Sequence, residues 1–461
     1  MSDPRPAPHG GALQGEAALV RAVGSFALTA AVINIIVGAG IFKMPATLSA
    51  QMGAAAPLAL IAGALAILPV ALCFAAVGSR AAATGGPYTY ASAAFGPFAG
   101  FVAGALMWIS NVASSAGVAA ALGVQVASLF PAFESPQARA ALLAGVYLAI
   151  FLLNAFGVKL GARAIATLAT LKLTPLFLLT AAGLFFVDWT QVDWTHVPSW
   201  GAMGTSMVLV MFAYSGMETA LIPSGEVRDV SRSVPRATIA AILLVVLLYL
   251  GLQLVSQGVL GPALGKSGVP LADTAGALWQ PARVLLLLTA CVSMLGFLMG
   301  NLLGTSRLVY ALGRDGYLPS AFGGVSAKYR VPLLAITAHA GCACVLALAS
   351  VLDVSSLVSG GFDALVLISG GGNCLVYIMV CMAAWRLQKV DLRERGEPFV
   401  LPGGAMLVPL ISVLAMAAIV ATLTAKEWWA LGGALALLIA LYAALSIVRR
   451  RRLERGVSAE K

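Results

Sequence analysis

The chain has 461 residues, of which 60% are apolar and 10% charged, with a formal net charge of +10 at pH 7. Soluble domains carry about 45–50% and 25% respectively, and repeated apolar runs of 18 or more residues would leave untenable patches in water. A soluble enzyme or binding domain is thereby excluded. The basic balance points to membrane topology and anionic lipid, with no nucleic-acid partner.

The first 20 residues, rich in Pro, Gly and Ala, read as a disordered cytoplasmic N-terminus. The first apolar segment is too long for a cleavable signal peptide and is expected to stay as a span. Twelve spans are predicted, at roughly 22–46, 54–78, 96–127, 138–156, 164–187, 202–223, 236–260, 281–311, 331–352, 360–385, 405–424 and 427–448. The chain then divides into a ten-helix core at 21–385, a cytoplasmic loop at 386–404, two added spans at 405–448 and a basic cytoplasmic tail at 449–461. With this topology, 22 of the 28 Lys and Arg residues fall on one side and four (Arg139, Lys266, Arg283, Lys426) on the other, leaving Lys43 and Lys172 near or within the membrane. The positive-inside rule places both termini in the cytoplasm, in the inner membrane of the cell. The six cysteines lie in apolar spans without metal-ligand spacing and read as packing residues. No metal or other cofactor is expected.

The first span holds Val37-Gly38-Ala39-Gly40, with Pro45 close behind, midway along its length. Hydrocarbon offers no water to free N–H and C=O groups, so a spanning helix breaks only where the break lines a cavity or is buried in protein. The sixth span repeats the device at Ala213-Tyr214-Ser215-Gly216. The second break lies five spans after the first, an odd number, so the second half enters the membrane from the opposite side. The expected fold is an all-α polytopic membrane protein, a five-plus-five inverted repeat with broken helices 1 and 6, plus two C-terminal helices.

Val37-Gly38-Ala39-Gly40-Ile41-Phe42 resembles the first-helix signature of the amino acid–polyamine–organocation superfamily. Gly85-Gly86-Pro87-Tyr88-Thr89-Tyr90, with Ala94-Phe95-Gly96-Pro97, is similar to its loop before helix three. Phe212-Ala213-Tyr214-Ser215-Gly216-Met217-Glu218, followed by Gly225-Glu226-Val227-Arg228-Asp229 and Val234-Pro235-Arg236-Ala237, resembles its helix-six block. Arg307-Leu308-Val309-Tyr310-Ala311-Leu312-Gly313-Arg314-Asp315-Gly316 resembles the end of its helix eight. The resemblance implies amino acid transport by alternating access.

An amino acid zwitterion needs donors for its carboxylate and acceptors for its ammonium. The N–H groups of Gly38, Ala39 and Gly40, opening the second half of helix one, are candidates for the first role; the carbonyls of Ala213 and Tyr214, ending the first half of helix six, for the second. Packing alone also accounts for glycines in spans, but two breaks at corresponding positions favour binding. Lys172 lies in the middle of span five, where a charged side chain costs about 2.5–3.5 kcal/mol and is functional by default. An amine held out of water is a candidate for proton exchange. By resemblance, Lys172 stands where sodium-dependent relatives of the fold bind a cation, which argues for proton coupling or ion-independent exchange. Glu218, beside the second break, either carries a proton or caps loose backbone. By resemblance again, Phe212 covers the substrate and gates the outer side, while Asn111 and Asn301 match substrate-facing positions of basic amino acid and polyamine exchangers. An inter-helix hydrogen bond is the bland alternative for both. Asn34 stands where relatives often carry glycine, and Ala39 where they carry Ser or Thr. Arg80, Glu226, Arg228, Asp229, Arg314 and Asp315 are candidates for a cytoplasmic ion-pair gate, or simply solvated charges. His339 reads as a hydrogen-bonded packing residue.

The reading is a secondary active transporter of amino acids, coupled to protons through Lys172. The alternative is an exchanger of basic amino acids or polyamines, disfavoured by a pocket with one candidate carboxylate. A channel needs a continuous polar stripe, an embedded enzyme a metal cluster or a nucleophile with its base, and a primary pump an NTP-binding motif; none is present. A sensor that binds amino acids without moving them is the remaining alternative.

Overall fold

The computed structural model describes residues 24–38, 40–80, 85–156, 162–195, 198–220, 227, 229–326, 329–354, 362–390 and 397–459. The first span is split into α1 (Ser25–Ile36) and α2 (Gly40–Met52). A turn at Gly53, with φ of +56°, leads into α3 (Ala56–Arg80). The segment expected as a loop before the third span is instead a short helix, α4 (Pro87–Phe95), with Pro87 in its first turn; proline suits that position because its missing N–H would have no intrahelical partner there. Gly96 at φ +92° separates it from α5 (Pro97–Leu129).

Then come α6 (Pro136–Ala155) and α7 (Ala162–Gly183). Ser135 caps α6 by accepting from the Ala138 N–H, the usual satisfaction of a helix start. The sixth span is split into α8 (Trp200–Tyr214) and α9 (Met217–Ala220). α10 (Val230–Leu260) is followed by a short helix absent from the sequence reading, α11 (Pro270–Leu278), then α12 (Gln280–Arg314), α13 (Leu333–Val351) and α14 (Phe362–Lys389). α15 (Gly404–Val420) and α16 (Ala425–Ala459) complete the chain.

Among the described residues, eight helical stretches are long and apolar enough to cross a membrane, and two shorter apolar helices lie at Thr170–Phe186 and Gly404–Val420. The split spans add the remainder of the expected twelve. Leu65, Leu247 and Leu437 are 67–72% exposed, which suits lipid and not water. This is an all-α polytopic membrane protein. At about 1.5 Å per residue, the 35 residues of α16 outrun a hydrocarbon core of about 30 Å, and the helix continues through 449–459, the stretch read from sequence as a tail.

Contacts repeat when spans one to five are exchanged with six to ten. α1 packs on α10 and, in the matching place, α8 packs on α3; α5 packs on α14, and α12 on α7. Glycines set the closest approaches: a Cβ on Gly370 or Gly372 of α14 would collide with Val208 of α8 or Ser110 of α5.

Candidate functional site

The last carbonyls of a helix have no partner within it, and at membrane depth each must find one. α1 solves this with its neighbours. Val37 N–H donates to Ile33 O at 2.8 Å, and Gly38 N–H turns back to Ile36 O at 2.7 Å. Lys172 of α7 is buried, and its Nζ donates to Asn34 O at 2.5 Å and Val37 O at 2.7 Å. Ser293 of α12 donates to Val37 O at 3.1 Å, and the Tyr249 hydroxyl of α10 to Ile36 O at 3.0 Å. A side-chain amine thus sits at the carbonyl end of a half-helix, where the dipole favours positive charge. Gly38 N–H, expected to face a ligand, is engaged by Ile36. The N–H groups of the first turn of α2, from Gly40 onward, have no intrahelical acceptor. Ala39 lies outside the described residues.

The sixth span breaks at Ser215 and Gly216. Ser215 turns its N–H and hydroxyl onto Phe212 O at 3.1 and 2.6 Å. Gly216 has φ of +128°, a backbone that side chains rarely adopt. Its N–H donates to both oxygens of Glu218 at 3.0 and 2.9 Å, and the Tyr377 hydroxyl of α14 donates to Glu218 Oε2 at 2.9 Å. The carboxylate therefore holds the break together as well as bordering the cavity. The two breaks touch. A Cβ on Gly40 would be 3.2 Å from Ala213 Cα, and one on Gly216 would be 3.1 Å from the Ile36 backbone.

Between them lies a cavity of about 50 Å³. Of the residues singled out from sequence, Asn34, Gly38, Gly40, Asn111, Phe212, Ala213, Ser215, Gly216, Glu218 and Asn301 line it. Val37 and Tyr214 lie beside it: the Tyr214 hydroxyl donates to Leu60 O at 3.2 Å and its ring stacks on Tyr249. Lys172 stands behind α1, one backbone away. Ser114, Phe297, Ser369 and Asn373 also line the cavity, beyond the residues that the sequence singles out; for Ser114, Ser369 and Asn373 the available signal is a polar side chain within an apolar run, and for Phe297 there is none. The same signal would have found Tyr249, Ser293 and Tyr377. At about 10–15 Å³ of such space per water, the cavity holds roughly three to five waters.

One wall is a chain of side-chain bonds. Asn301 Nδ2 donates to Asn111 Oδ1 at 2.7 Å, and Asn111 Nδ2 donates to Met107 O at 2.8 Å. His339 Nε2 is 2.9 Å from Asn301 Oδ1; facing an acceptor, it is the protonated nitrogen. The opposite wall carries Phe212, whose ring meets Phe362 of α14 edge to face at 6.1 Å.

The candidate cytoplasmic charges do not assemble into one network among the described residues. Arg314 pairs with its neighbour Asp315 at 2.9 Å, and Asp315 accepts from the Tyr88 hydroxyl at 2.5 Å. Burial, with Asp315 beside it, pushes the Tyr88 pKa up and keeps it a donor. Arg80 donates to Phe399 O at 2.6 Å, and Asp229 accepts from the Ser231 hydroxyl. Glu226 and Arg228 lie outside the described residues.

Helices broken at corresponding positions around a small polar cavity, in an all-helical membrane bundle, are the build of a membrane transporter. The chain belongs to the amino acid permease family, whose model matches residues 23–447, within the superfamily its motifs resemble. It is similar to an uncharacterized transporter of Mycobacterium tuberculosis (strain ATCC 25618 / H37Rv), 29% identical over 436 residues, 92% of this chain and 91% of that protein. It is also similar to the serine/threonine exchanger SteT of Bacillus subtilis, 28% identical over 408 residues, 85% of this chain and 87% of that protein. The protein is an amino acid transporter and not an enzyme.

Proposed function

We propose that the protein is a secondary carrier that moves small neutral amino acids across the inner membrane by alternating access, coupled to protons through Lys172, with both termini in the cytoplasm. The observation that carries this reading is the meeting of the two breaks at one cavity. The first turn of α2 offers N–H donors to a carboxylate, and the end of α8 offers backbone acceptors to an ammonium. Asn34, Ser215, Asn111 and Asn301 supply neutral polar contacts, and Phe212 covers the site. The only carboxylate among the described residues lining this cavity, Glu218, already accepts three hydrogen bonds. A second cationic group on the substrate would therefore find no free counter-charge there, which speaks for neutral substrates over basic amino acids or polyamines. Lys172, tied to the carbonyls of α1, links any change in its own protonation to the conformation of the break.

A second reading is obligatory exchange without protons, favoured by the likeness to a serine/threonine exchanger. Uptake of the twenty amino acids, agmatine and putrescine into liposomes separates the two. Accumulation of serine, threonine or alanine driven by an inward proton gradient is expected for the symporter. Uptake seen only with amino acid inside, and indifferent to the gradient, would replace it with the exchanger.

A further inference from the structure

A second cavity, of about 240 Å³, lies on the membrane face opposite to the chain ends. Among the residues that border it are Lys43, Gln125, Arg139, Ser350, Phe362 and Asp363. Lys43 is three residues past Gly40 on α2, so this space begins about one helical turn beyond the midplane cavity. The Phe212–Phe362 pair stands between, Phe212 bordering one space and Phe362 the other.

Three polar atoms here are buried without a hydrogen-bond partner: Gln125 Oε1, Arg139 Nε and Ser350 Oγ. Gln125 is 2% exposed and Ser350 6%. Buried polar groups in native proteins are paired, and each exception calls for an explanation. The Arg139 stem lies along the face of Gly123 on α5, where an added Cβ would be 3.6 Å from its Cδ, and its guanidinium makes no ion pair among the described residues. Lys43 Nζ reaches Ser267 O only at 3.5 Å. Asp363 uses Oδ1 to accept from Thr47 at 3.1 Å. The lining thus offers two cations and a hydroxyl to a carboxylate, and one carboxylate and an amide oxygen to an ammonium. A space of this size takes several waters, or one small α-amino acid in their place.

We propose that this cavity is a second amino acid binding site, an entry subsite in which a zwitterion's carboxylate is held by Arg139 and Lys43 and its ammonium by Asp363 and Gln125 before the phenyl pair opens. The inference rests on the amino acid reading of the midplane site and adds a station to it. The test uses the full-length protein in lipid nanodiscs with radiolabelled L-serine as probe. Wild type is expected to bind two molecules per chain at saturation, and Arg139→Gln one. In liposomes Arg139→Gln raises KM for serine about tenfold, as the loss of a charge-assisted hydrogen bond implies, while kcat is retained and Arg139→Lys recovers part of the loss. Gln125→Leu, a change without charge, serves as the second variant and is expected to raise KM in the same sense. One molecule per chain in wild type, with KM unmoved by either variant, overturns the second site and leaves the midplane site standing. Wild type that neither binds nor transports serine overturns the neutral amino acid reading itself, and this inference with it.

Discussion

Lys172 makes two bonds to α1, and both go to carbonyls that the break of the first span leaves open. Lys172→Ala therefore has two separable effects. It strips Asn34 O of its donor, which costs about 1–3 kcal/mol for a buried group left unsatisfied and lowers the melting temperature of the purified protein, while Val37 O keeps the Ser293 hydroxyl. It also removes the proposed titrating amine, so uptake is expected to fall at least tenfold and what remains to ignore an imposed pH gradient. Residual uptake that keeps its full gradient dependence would remove Lys172 from the coupling scheme. Gly216 is the second position where one residue decides the geometry. Gly216→Ala places a side chain at a φ of +128° and 3.1 Å from the Ile36 backbone. Strain of this kind costs about 1–3 kcal/mol. Lower thermal stability together with impaired uptake is expected; wild-type behaviour in both assays would mean that the break tolerates a Cβ.

At the scale of the element, the two split spans were legible because glycine in the middle of an apolar run has few readings, and two at matching positions have fewer. The positions of Gly38, Gly40, Ser215 and Gly216 around one space follow from that pattern. What was not legible is how the loosened backbone is satisfied. Tyr249, Ser293 and Tyr377 come from helices distant in sequence, and their hydroxyls look, in a linear reading, like ordinary polar residues within spans. Gly38 N–H bends back to Ile36 O because a tight turn offers it an acceptor sooner than a ligand does. The helix Pro87–Phe95 reads as loop in the sequence because its nine residues are bounded by glycines at both ends, and what holds it is tertiary: the Tyr88 hydroxyl donates to Asp315 and its ring packs on Tyr317. The Glu218–Tyr377 bond supplies a test of α9. Tyr377→Phe leaves the Gly216 N–H bonds to Glu218 in place and removes one donor, so a stability loss of about 1 kcal/mol, read as a lower melting temperature, is expected with KM unchanged. A large rise in KM would move Glu218 from support of the break to the substrate.

At the scale of the whole molecule, the aligned contacts of α1 with α10 and of α8 with α3 express the expected inverted repeat, which no residue-by-residue likeness between the halves revealed. The outer cavity was illegible for a related reason. Gln125, Arg139, Ser350 and Asp363 lie in four different helices, and nothing in their spacing announces that the fold gathers them. The backbones of the two split spans meet at both ends of the breaks, Gly40 on Ala213 and Gly216 on Ile36. Surfaces this close slide past each other only against a steric penalty, so a displacement of one break is expected to be felt by the other.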